Sequence, residues 1–358
     1  MQFIDLKAQQ ERIRQSLDAR IAKVLDHGQY ILGPEINELE ETLAKYVGVK
    51  HCITCSSGTD ALLMSLMAYD IKPGDEVITT PFTFIATAEV ISFLGAVPVF
   101  VDIDEKTYNI DHSKIEEKIT SKTKALMPVS LYGQCADMDE INEIGKKHNL
   151  PVIEDACQSF GAQYKGRKSC GLSSVGCASF FPAKPLGCYG DGGAIFTDDD
   201  LLAEKLKQIR NHGQAVRYQH SMIGLNGRFD TIQAAVLLSK MEIFDEEVRL
   251  REEAGKRYTE KLKNKVITPF IKDTNLCVYA QYTVQVENRD GMQKKLNEAG
   301  IPSAVHYPIP LNLQPVYQYL NQPKGSFPVA ESLAEKVMSL PMHPYLTDEQ
   351  IDKVASCF

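Results

Sequence analysis

The sequence predicts an α/β fold built on a mostly parallel central sheet flanked by helices. Short apolar runs alternate with amphipathic helical patterns through the first two thirds of the 358 residues, which is typical of a sheet covered on both faces. After about residue 240 the pattern changes to a long charged helix followed by period-two alternation. We therefore expect a large α/β domain over residues 1–240 and a smaller α+β domain over residues 241–358.

Seven short apolar runs in the first domain are predicted strands. They span residues 51–55, 76–79, 97–101, 125–129, 152–154, 178–181 and 194–197. The amphipathic stretches between them are predicted helices. These span residues 35–46, 60–69, 138–148 and 199–211. Because sites of parallel sheets lie at the carboxyl ends of the strands, we expect functional residues to follow these strands.

The second domain contains fewer and more mixed elements. Residues 241–262 form a helix pattern rich in both charges, and residues 278–286 alternate with period two. A helix over residues 291–299 and a strand near residues 301–306 follow. This order of elements predicts a small α+β unit.

The composition argues against several classes of protein. The chain has 39 Lys and Arg against 47 Asp and Glu, a net charge of −8, so no basic excess is present to neutralise the phosphates of a nucleic acid. No uncharged apolar run is long enough to span a bilayer, and the first residues lack the pattern of a secretion signal. We therefore expect a cytoplasmic protein that binds neither nucleic acid nor membrane.

The nine cysteines favour the same compartment. Their number is odd and most of them lie in strand-like runs, which indicates buried free thiols in a reducing environment. Cys52 and Cys55 have the spacing of a metal or redox motif, but no second pair accompanies them. We interpret them as core residues and expect no metal site.

The segment from Cys55 to Asp60 connects a predicted strand to a predicted helix. Its Ser, Gly and Thr residues leave several backbone amides free to point at one spot, with the helix dipole behind them, which suits an anion such as phosphate. The same residues are equally suited to simple capping of the helix by Ser57 or Thr59. The turn alone leaves both interpretations open.

A carboxylate and a lysine provide a sharper signal. The apolar strand that starts near Pro151 ends in Glu154 and Asp155, and Lys184 follows further along in an aromatic and glycine-rich segment. A desolvated lysine has a lowered pKa and can attack a carbonyl carbon. Separately, Asp155 fits a helix cap and Lys184 a surface loop. Together with the amide-rich turn they match the needs of pyridoxal 5′-phosphate: a partner for the ring nitrogen, an amine for the aldehyde and a phosphate site.

The chain resembles, over essentially its whole length, the DegT/StrS-type nucleotide-sugar aminotransferases, which are pyridoxal-phosphate enzymes of fold type I. The matching segments occur in order along the chain. They are Gly33-Pro34, Ser57-Gly-Thr-Asp-Ala-Leu62, Pro73-Gly-Asp-Glu-Val-Ile78, Pro81-Phe-Thr-Phe-Ile-Ala-Thr87, Val129-Ser-Leu-Tyr-Gly133, Glu154-Asp155-Ala156, Ser179-Phe-Phe-Pro-Ala-Lys184, Asn226-Gly-Arg228 and His306-Tyr-Pro308. Each motif alone is weak, and their shared order makes the resemblance specific.

The resemblance implies a role for each candidate residue. Lys184 would hold the cofactor covalently and act as the catalytic base, and Asp155 would pair with the ring nitrogen. Gln158 would contact the edge of the ring that carries the phenolic oxygen, and Phe84 would lie against the ring face. The phosphate would be held by Gly58, Thr59 and Ser179.

The resemblance also implies a homodimer, because in this family a second subunit completes each active site. Asn226, which would contact the cofactor, and Arg228 would therefore reach into the neighbouring site. Arg228 is the leading candidate to bind a substrate carboxylate, since a guanidinium can donate two parallel hydrogen bonds to one. His306 and Tyr307 are implied substrate contacts, although a histidine in such a position is more often structural.

Further segments resemble the family members that act on UDP-2-acetamido-2-deoxy-3-oxo-glucuronate, with L-glutamate as amino donor, in the synthesis of bacterial O-antigen sugars. These segments span residues 3–7, 27–34, 130–137, 181–190 and 304–310. Two alternatives remain open: another nucleotide-linked keto-hexose, such as a 4-keto-6-deoxy sugar, and a non-catalytic regulator that binds pyridoxal phosphate. A sugar dehydratase of the same fold would carry a histidine where this chain has Lys184.

Overall fold

The computed structural model describes residues 1–358 and contains eleven helices and fourteen strands. The helices are α1 (Leu6–His27), α2 (Pro34–Val47), α3 (Gly58–Ala68), α4 (Ala86–Phe93), α5 (Met138–His148), α6 (Asp200–Arg210), α7 (Thr231–Met241), α8 (Phe244–Leu262), α9 (Arg289–Glu298), α10 (Pro328–Lys336) and α11 (Asp348–Ala355). The strands are β1 (His51–Cys55), β2 (Glu76–Thr79), β3 (Val97–Phe100), β4 (Thr123–Leu126), β5 (Ile153–Asp155), β6 (Gln163–Tyr164), β7 (Arg167–Lys168), β8 (Val175–Ser179), β9 (Gly193–Thr197), β10 (Gln214–Val216), β11 (Gln219–His220), β12 (Asn275–Leu276), β13 (Tyr282–Gln285) and β14 (Val337–Leu340).

Seven strands form the central sheet in the order β1, β9, β8, β5, β4, β2 and β3. Strand β9 is antiparallel to both of its neighbours, while β5 is parallel to β8 and β2 is parallel to β3 and β4. Strand β4 reaches β5 through parallel bridges from Leu126 to Val152 and from Val129 to Asp155. Six of the seven strands therefore run in one direction, which confirms the mostly parallel α/β fold that the sequence predicts.

This strand order places the carboxyl ends of β1, β5 and β8 at one edge of the sheet, because these three strands run the same way. The residues at those ends are Cys55, Asp155 and Ser179. Helix α3 starts immediately after β1, so its first turn lies at the same edge. The fold thus gathers there Asp155, Ser179 and the start of α3, three of the features that the sequence marks as functional.

Helix α3 is apolar on nearly every side, which is the pattern of a helix enclosed by the rest of the molecule. Its buried residues include Ala61, Leu62, Met64 and Leu66. The hydroxyl of Ser57 caps the helix by accepting a hydrogen bond from the amide of Asp60 at 3.0 Å. Burial on all sides fixes the position of the helix and of the amide groups at its start.

The second part of the chain packs around its own apolar cluster. That cluster includes Tyr258, Val284, Leu340 and Ile351, and the antiparallel pair of β13 and β14 runs through it. The domain boundary near residue 240 stays a prediction.

The structure corrects three predicted elements in this part. Residues 301–306 do not form a strand: only Ala304 makes a bridge, to Ser339, since the flanking Pro302 and Pro308 have no amide to donate to a sheet. The predicted strand over residues 278–286 is confined to β13. The predicted helix over residues 241–262 begins at Phe244, because α7 extends through Met241 and the chain turns at Ile243, whose φ is −117° and ψ is 0°.

All nine cysteines are free, and eight of them are buried. Cys52 and Cys55 lie in β1 with their side chains in the apolar interior. None of the helices combines the length and the apolar composition that crossing a membrane requires.

We predict that Gly176→Ala destabilises the protein strongly. A Cβ atom at this position of β8 would collide with the backbone of Cys170, and a backbone atom cannot move aside as a side chain can, so the cost should reach or exceed about 3 kcal/mol. The melting temperature measures the effect. The matched control is Gly166→Ala, where φ is +76° but no atom lies within 4 Å of the new methyl group; its cost should be about 1–2 kcal/mol. Equal losses in the two variants would contradict the close-approach argument.

Candidate active site

Asp155 lies at the carboxyl end of β5 and is 4% exposed. Its Oδ2 accepts a hydrogen bond from Thr87 Oγ1 at 2.7 Å, and its Oδ1 accepts one from the Cys157 amide at 3.2 Å. Two separate elements, α4 and the turn after β5, therefore fix the orientation of this carboxyl group. Oxygen atoms of a carboxylate each accept more than one hydrogen bond, so Asp155 can still bind a further donor.

Glu154, the other carboxylate at this strand end, has a different role. Its side chain is fully buried and accepts hydrogen bonds from Ser130 Oγ at 3.0 Å, Ser169 Oγ at 2.8 Å and the Cys170 amide at 2.9 Å. Burial raises the pKa of Glu154 to about 7, against the lowering effect of these donors. Successive side chains of a strand point to opposite faces, so only Asp155 is left for the cleft.

Lys184 lies in the loop that follows β8, and its amine makes no hydrogen bond or ion pair with the rest of the chain. Burial lowers the pKa of Lys184 below its ordinary value, while the negative charges of Cys157 and Asp155 act in the opposite direction. Burial also raises the pKa of the Cys157 thiol well above its ordinary value, so of these two neighbours Asp155 is the one whose charge opposes the effect of burial on Lys184. A larger share of neutral amine makes Lys184 a better nucleophile than an exposed lysine.

The first turn of α3 meets the ends of β5 and β8. A Cβ atom on Gly58 would lie 2.6 Å from Ser179 Cβ and 3.0 Å from Cys157 Sγ, so only glycine allows this approach. The amides of Gly58 and Thr59, in the first turn of the helix, have no partner within the helix, and Ser179 lies beside Gly58. Such an arrangement is suited to an anion.

Gln158 links this group to residues from two other segments. Its Oε1 accepts a hydrogen bond from the Tyr132 amide at 3.0 Å, and its Nε2 donates to the Tyr307 hydroxyl at 3.2 Å. Burial and then the negative charge of Asp155 raise the pKa of Tyr307. The rings of Phe84 and Tyr307 are 6.2 Å apart between centroids. Phe84 is 53% exposed, whereas Phe82 belongs to the core.

His306 also borders the group, but its ring is held by the protein. Its Nδ1 is 2.9 Å from Ser339 Oγ, and its backbone oxygen accepts a hydrogen bond from the Tyr132 hydroxyl. Burial and then the charge of Lys184 lower the pKa of His306, so the ring is neutral at neutral pH. The hydrogen bond to Ser339 leaves Nε2 available for a ligand.

Asn226 and Arg228 are the two candidates that this chain does not bring to Lys184. Asn226 is exposed and pairs with Asn211 through backbone bridging. Arg228 Nη1 donates to Asn211 Oδ1 at 2.8 Å, and its Nε has no partner. Between them, the oxygen of Gly227 accepts a hydrogen bond from the Ser56 amide at 3.0 Å. The loop therefore runs beside the turn between β1 and α3, and its Arg228 side chain is directed at Asn211.

Sequence reasoning missed three residues of the site: Thr87, Tyr132 and Cys157. Thr87 and Tyr132 lie in segments that the family resemblance covers, but the resemblance gave them no role. Their contacts join positions 68 and 26 residues apart in the chain, so no local pattern indicates them. Cys157 had a weak signal, since it stands two positions after Asp155 and next to Gln158.

The residues present fit pyridoxal 5′-phosphate. The site holds an unpaired, partly desolvated amine at Lys184 and an oriented carboxylate at Asp155. It also holds the start of a helix at Gly58, where a Cβ atom would occupy the space beside Ser179 and Cys157. These are the groups that the aldehyde, the ring nitrogen and the phosphate require. Fold and site together define a pyridoxal-phosphate enzyme of fold type I.

Comparison with known proteins identifies the family. The profile of the DegT/DnrJ/EryC1/StrS aminotransferase family matches residues 11–358. The chain is 58% identical to the UDP-2-acetamido-2-deoxy-3-oxo-D-glucuronate aminotransferase of Pseudomonas aeruginosa, over 98% of this chain and 97% of the relative. The chain belongs to the DegT/DnrJ/EryC1/StrS aminotransferase family. It is a pyridoxal-phosphate-dependent sugar aminotransferase.

Solved structures agree with this conclusion. DesV of Streptomyces venezuelae superposes with a TM-score of 0.97 at 41% identity, covering 99% of this chain and 96% of DesV. NtdA of Bacillus subtilis, solved with bound pyridoxamine phosphate (PMP), superposes with a TM-score of 0.90 at 33% identity, covering 97% of this chain and 81% of NtdA. The predicted fold and cofactor are confirmed.

We predict that Lys184 of the cofactor-free protein titrates below an ordinary lysine, because burial lowers its pKa. Competitive labelling with acetic anhydride over a range of pH, read by mass spectrometry, compares it with the exposed Lys324. In Asp155→Asn the midpoint should fall further, since the charge of Asp155 opposes the effect of burial. A midpoint for Lys184 at or above that of Lys324, or one that rises in Asp155→Asn, would show that this account of the electrostatics is wrong.

Proposed function

We propose that this enzyme transfers the amino group of L-glutamate to C3 of UDP-2-acetamido-2-deoxy-3-oxo-D-glucuronate, as a step in the synthesis of diacetamido-uronic acids of bacterial O-antigen lipopolysaccharide. The observation that carries the proposal is the 58% identity to the Pseudomonas aeruginosa aminotransferase named for that sugar, which extends over 98% of this chain. The reaction has two halves. Glutamate gives up its amino group and leaves as 2-oxoglutarate, and the keto-sugar then takes that group.

In this proposal Lys184 and Asp155 are the catalytic residues. Pyridoxal 5′-phosphate, when bound, withdraws electrons from the reacting carbon and carries the amino group between the two halves. Lys184 attaches the cofactor, a role supported by its unpaired and partly desolvated amine. Once released by a substrate, Lys184 Nζ would move a proton from the α-carbon of glutamate to the carbonyl carbon of the cofactor in the first half, and from that carbon to C3 of the sugar in the second. Asp155 holds the ring nitrogen in its protonated form.

The same geometry supports the remaining cofactor contacts that we propose. Gly58 and Thr59 at the start of α3, together with Ser179, bind the phosphate, a role supported by the close approach of helix and strand at Gly58. Gln158 contacts the oxygen-bearing edge of the ring, and Phe84 lies against its face, with an exposed fraction of 53% that leaves its ring free to pack.

The substrates require positive charge in the cleft despite the net charge of −8. A UDP-uronate carries a pyrophosphate and a carboxylate, and glutamate carries two carboxylates. Arg228 is assigned to the sugar carboxylate, because it makes a single hydrogen bond, to Asn211, and keeps an unpartnered Nε. His306 and Tyr307 contact the substrate from within the same chain.

We propose that the active enzyme is a homodimer in which Asn226 and Arg228 complete the partner's site. Asn226 is exposed, and Val216, Tyr218 and Ile223 in the segment before it are 61%, 79% and 85% exposed. A group of exposed apolar residues marks an interaction surface. The cytoplasmic location stays a prediction, supported by the nine unpaired cysteines.

Arg228→Ala should selectively weaken the reaction with the uronate. Loss of a charge-assisted hydrogen bond costs about 1.5–3 kcal/mol, so kcat/KM for UDP-2-acetamido-2-deoxy-3-oxo-glucuronate should fall roughly 10- to 150-fold, with cofactor content unchanged. The kcat/KM for UDP-2-acetamido-2-deoxy-3-oxo-glucose, which lacks the carboxylate, should fall much less. Arg249→Ala on the exposed surface is the matched control.

The same set of substrates tests the choice of sugar. A wild-type enzyme that prefers a 4-keto-6-deoxy sugar would contradict the uronate assignment, and one that reacts with glutamate but with no keto-sugar would favour a regulatory role. An equal loss for both 3-oxo sugars in Arg228→Ala would remove Arg228 from carboxylate binding.

Subunit exchange tests the shared site directly. Lys184→Ala and the double variant Asn226→Ala/Arg228→Ala should each be nearly inactive as homodimers. A heterodimer of the two places both lesions in one site and leaves the other intact, so mixing should restore activity toward half of the wild-type value per mixed dimer. Verified exchange without recovery of activity would show that residues 226–228 act within their own chain.

A further inference from the structure

Two buried threonines form a chain of hydroxyl groups that ends on Asp155. Thr87 Oγ1 is 2.7 Å from Asp155 Oδ2, and Thr83 Oγ1 is 3.1 Å from Thr87 Oγ1. Thr83 is 3% exposed, Thr87 1% and Asp155 4%. Neither threonine is among the residues to which the proposed function assigns a role.

The direction of these hydrogen bonds is fixed by their end point. An ionised carboxylate only accepts hydrogen bonds, so Thr87 must donate its one proton to Asp155. Thr87 Oγ1 is then left as an acceptor, and Thr83 must donate to it. Hydrogen bonds to a charged acceptor are short and about twice as strong as neutral ones, and successive bonds polarise one another. Both hydroxyl groups therefore stabilise the orientation of the Asp155 carboxylate.

A threonine in β2 provides a comparison within the same structure. Thr79 is fully buried, and its hydroxyl donates to the backbone oxygen of Met127 at 2.8 Å. That bond satisfies the hydroxyl but leads to a neutral carbonyl group and not to the cleft. If burial were the only reason for a hydroxyl at Thr87, a neutral acceptor would serve it equally well.

The hydroxyl of Thr87 also determines which way the carboxylate faces. The Cys157 amide, at 3.2 Å, holds Oδ1, and Thr87 holds Oδ2. With only one of these donors the carboxyl group could turn about its last single bond. With both, its remaining acceptor positions have a fixed direction before any ligand binds, and a preorganised acceptor binds its donor more tightly.

We propose that Thr87, supported by Thr83, is a positioning residue that holds the Asp155 carboxylate in the orientation required by the ring nitrogen of the cofactor. The inference rests on the proposed role of Asp155. It adds a second layer to the site, in which a hydroxyl on α4 acts on the cofactor only through the carboxylate at the end of β5.

The test uses two cofactors that differ in one atom. Pyridoxal 5′-phosphate has the ring nitrogen, and its 1-deaza analogue has a C–H group there while keeping the aldehyde and the phosphate. Dissociation constants of both are measured by equilibrium dialysis with the cofactor-free full chain. Wild-type protein should prefer pyridoxal 5′-phosphate. Thr87→Val, which keeps the shape but removes the hydroxyl, should lose about tenfold in affinity for it and less than about twofold for the analogue.

Three further variants complete the experiment. Thr87→Ser keeps the hydroxyl and should retain the wild-type preference. Thr83→Val removes only the supporting donor and should lose the preference in part, which provides a second measure should Thr87→Val not fold. Thr79→Val is the matched control, because it removes an equally buried threonine hydroxyl and should change neither constant.

The outcomes separate this inference from the proposed function. Asp155→Ala should bind both cofactors equally. If Asp155→Ala keeps the preference, the proposed role of Asp155 fails and the role of Thr87 fails with it. If Asp155→Ala loses the preference while Thr87→Val and Thr83→Val keep it, only the inference about Thr87 is overturned. An equal loss for both cofactors in Thr87→Val would also overturn it, because that result indicates a purely structural role.

Discussion

The close approach of helix α3 to the ends of β5 and β8 is the constraint on which the site depends. Gly58 stands where any Cβ atom would lie 2.6 Å from Ser179 Cβ, so the helix can start at this edge only because residue 58 has no side chain. The helix is held in place from every side, since it is buried among other apolar elements, and Ser57 caps its start at 3.0 Å. The first turn of the helix consequently lies at the edge of the sheet where β5 ends at Asp155 and β8 ends at Ser179. A larger residue at position 58 would separate these groups and leave each of them individually intact.

The two neighbouring carboxyl groups of β5 are separated by the geometry of the strand. Glu154 faces the interior, where two serine hydroxyls and one backbone amide surround it and burial raises its pKa to about 7. Asp155 faces the cleft and receives one hydrogen bond on each oxygen. Two adjacent negative charges in a buried place would repel each other, and an environment that favours the protonated form of one relieves that repulsion. Glu154 thus stabilises the end of β5 through its buried hydrogen bonds on the interior face, while Asp155 is free to act on a ligand.

Local pattern was sufficient for the strands of the central sheet, and it singled out Asp155 and Lys184 as candidate site residues, an assignment that stays a prediction. The predicted strands over residues 51–55 and 76–79 and the helix over residues 138–148 match the structure residue for residue, because each is a strongly periodic run with clear turn residues at both ends. Helix α1 was missed, since one of its four buried positions is the polar Gln9 and its apolar stripe is narrow. The contacts of Asp155 with Thr87 and of Gln158 with Tyr132 could not be predicted from the sequence, for another reason. They join residues 68 and 26 positions apart in the chain, and no local spacing in the sequence indicates such contacts.

One face of helix α7 holds the loop that carries Lys184. These contacts explain why a second lysine, Lys240, is buried outside the cleft. Gln233 of α7 binds both backbone groups of Tyr189, accepting at 2.7 Å and donating at 3.2 Å.

Lys240, two turns further along, is fully buried and donates to the Gly187 oxygen, with its ammonium 4.4 Å from the centroid of the Tyr189 ring. Burial lowers the pKa of Lys240 to about 8, so the position is costly for a charge and has no carboxylate partner within salt-bridge distance. What it provides is a second fixed point on the loop, at the residue three positions after Lys184. Because α7 begins just after residues 226–228, the helix that positions Lys184 in its own chain also anchors the loop proposed to complete the partner's site.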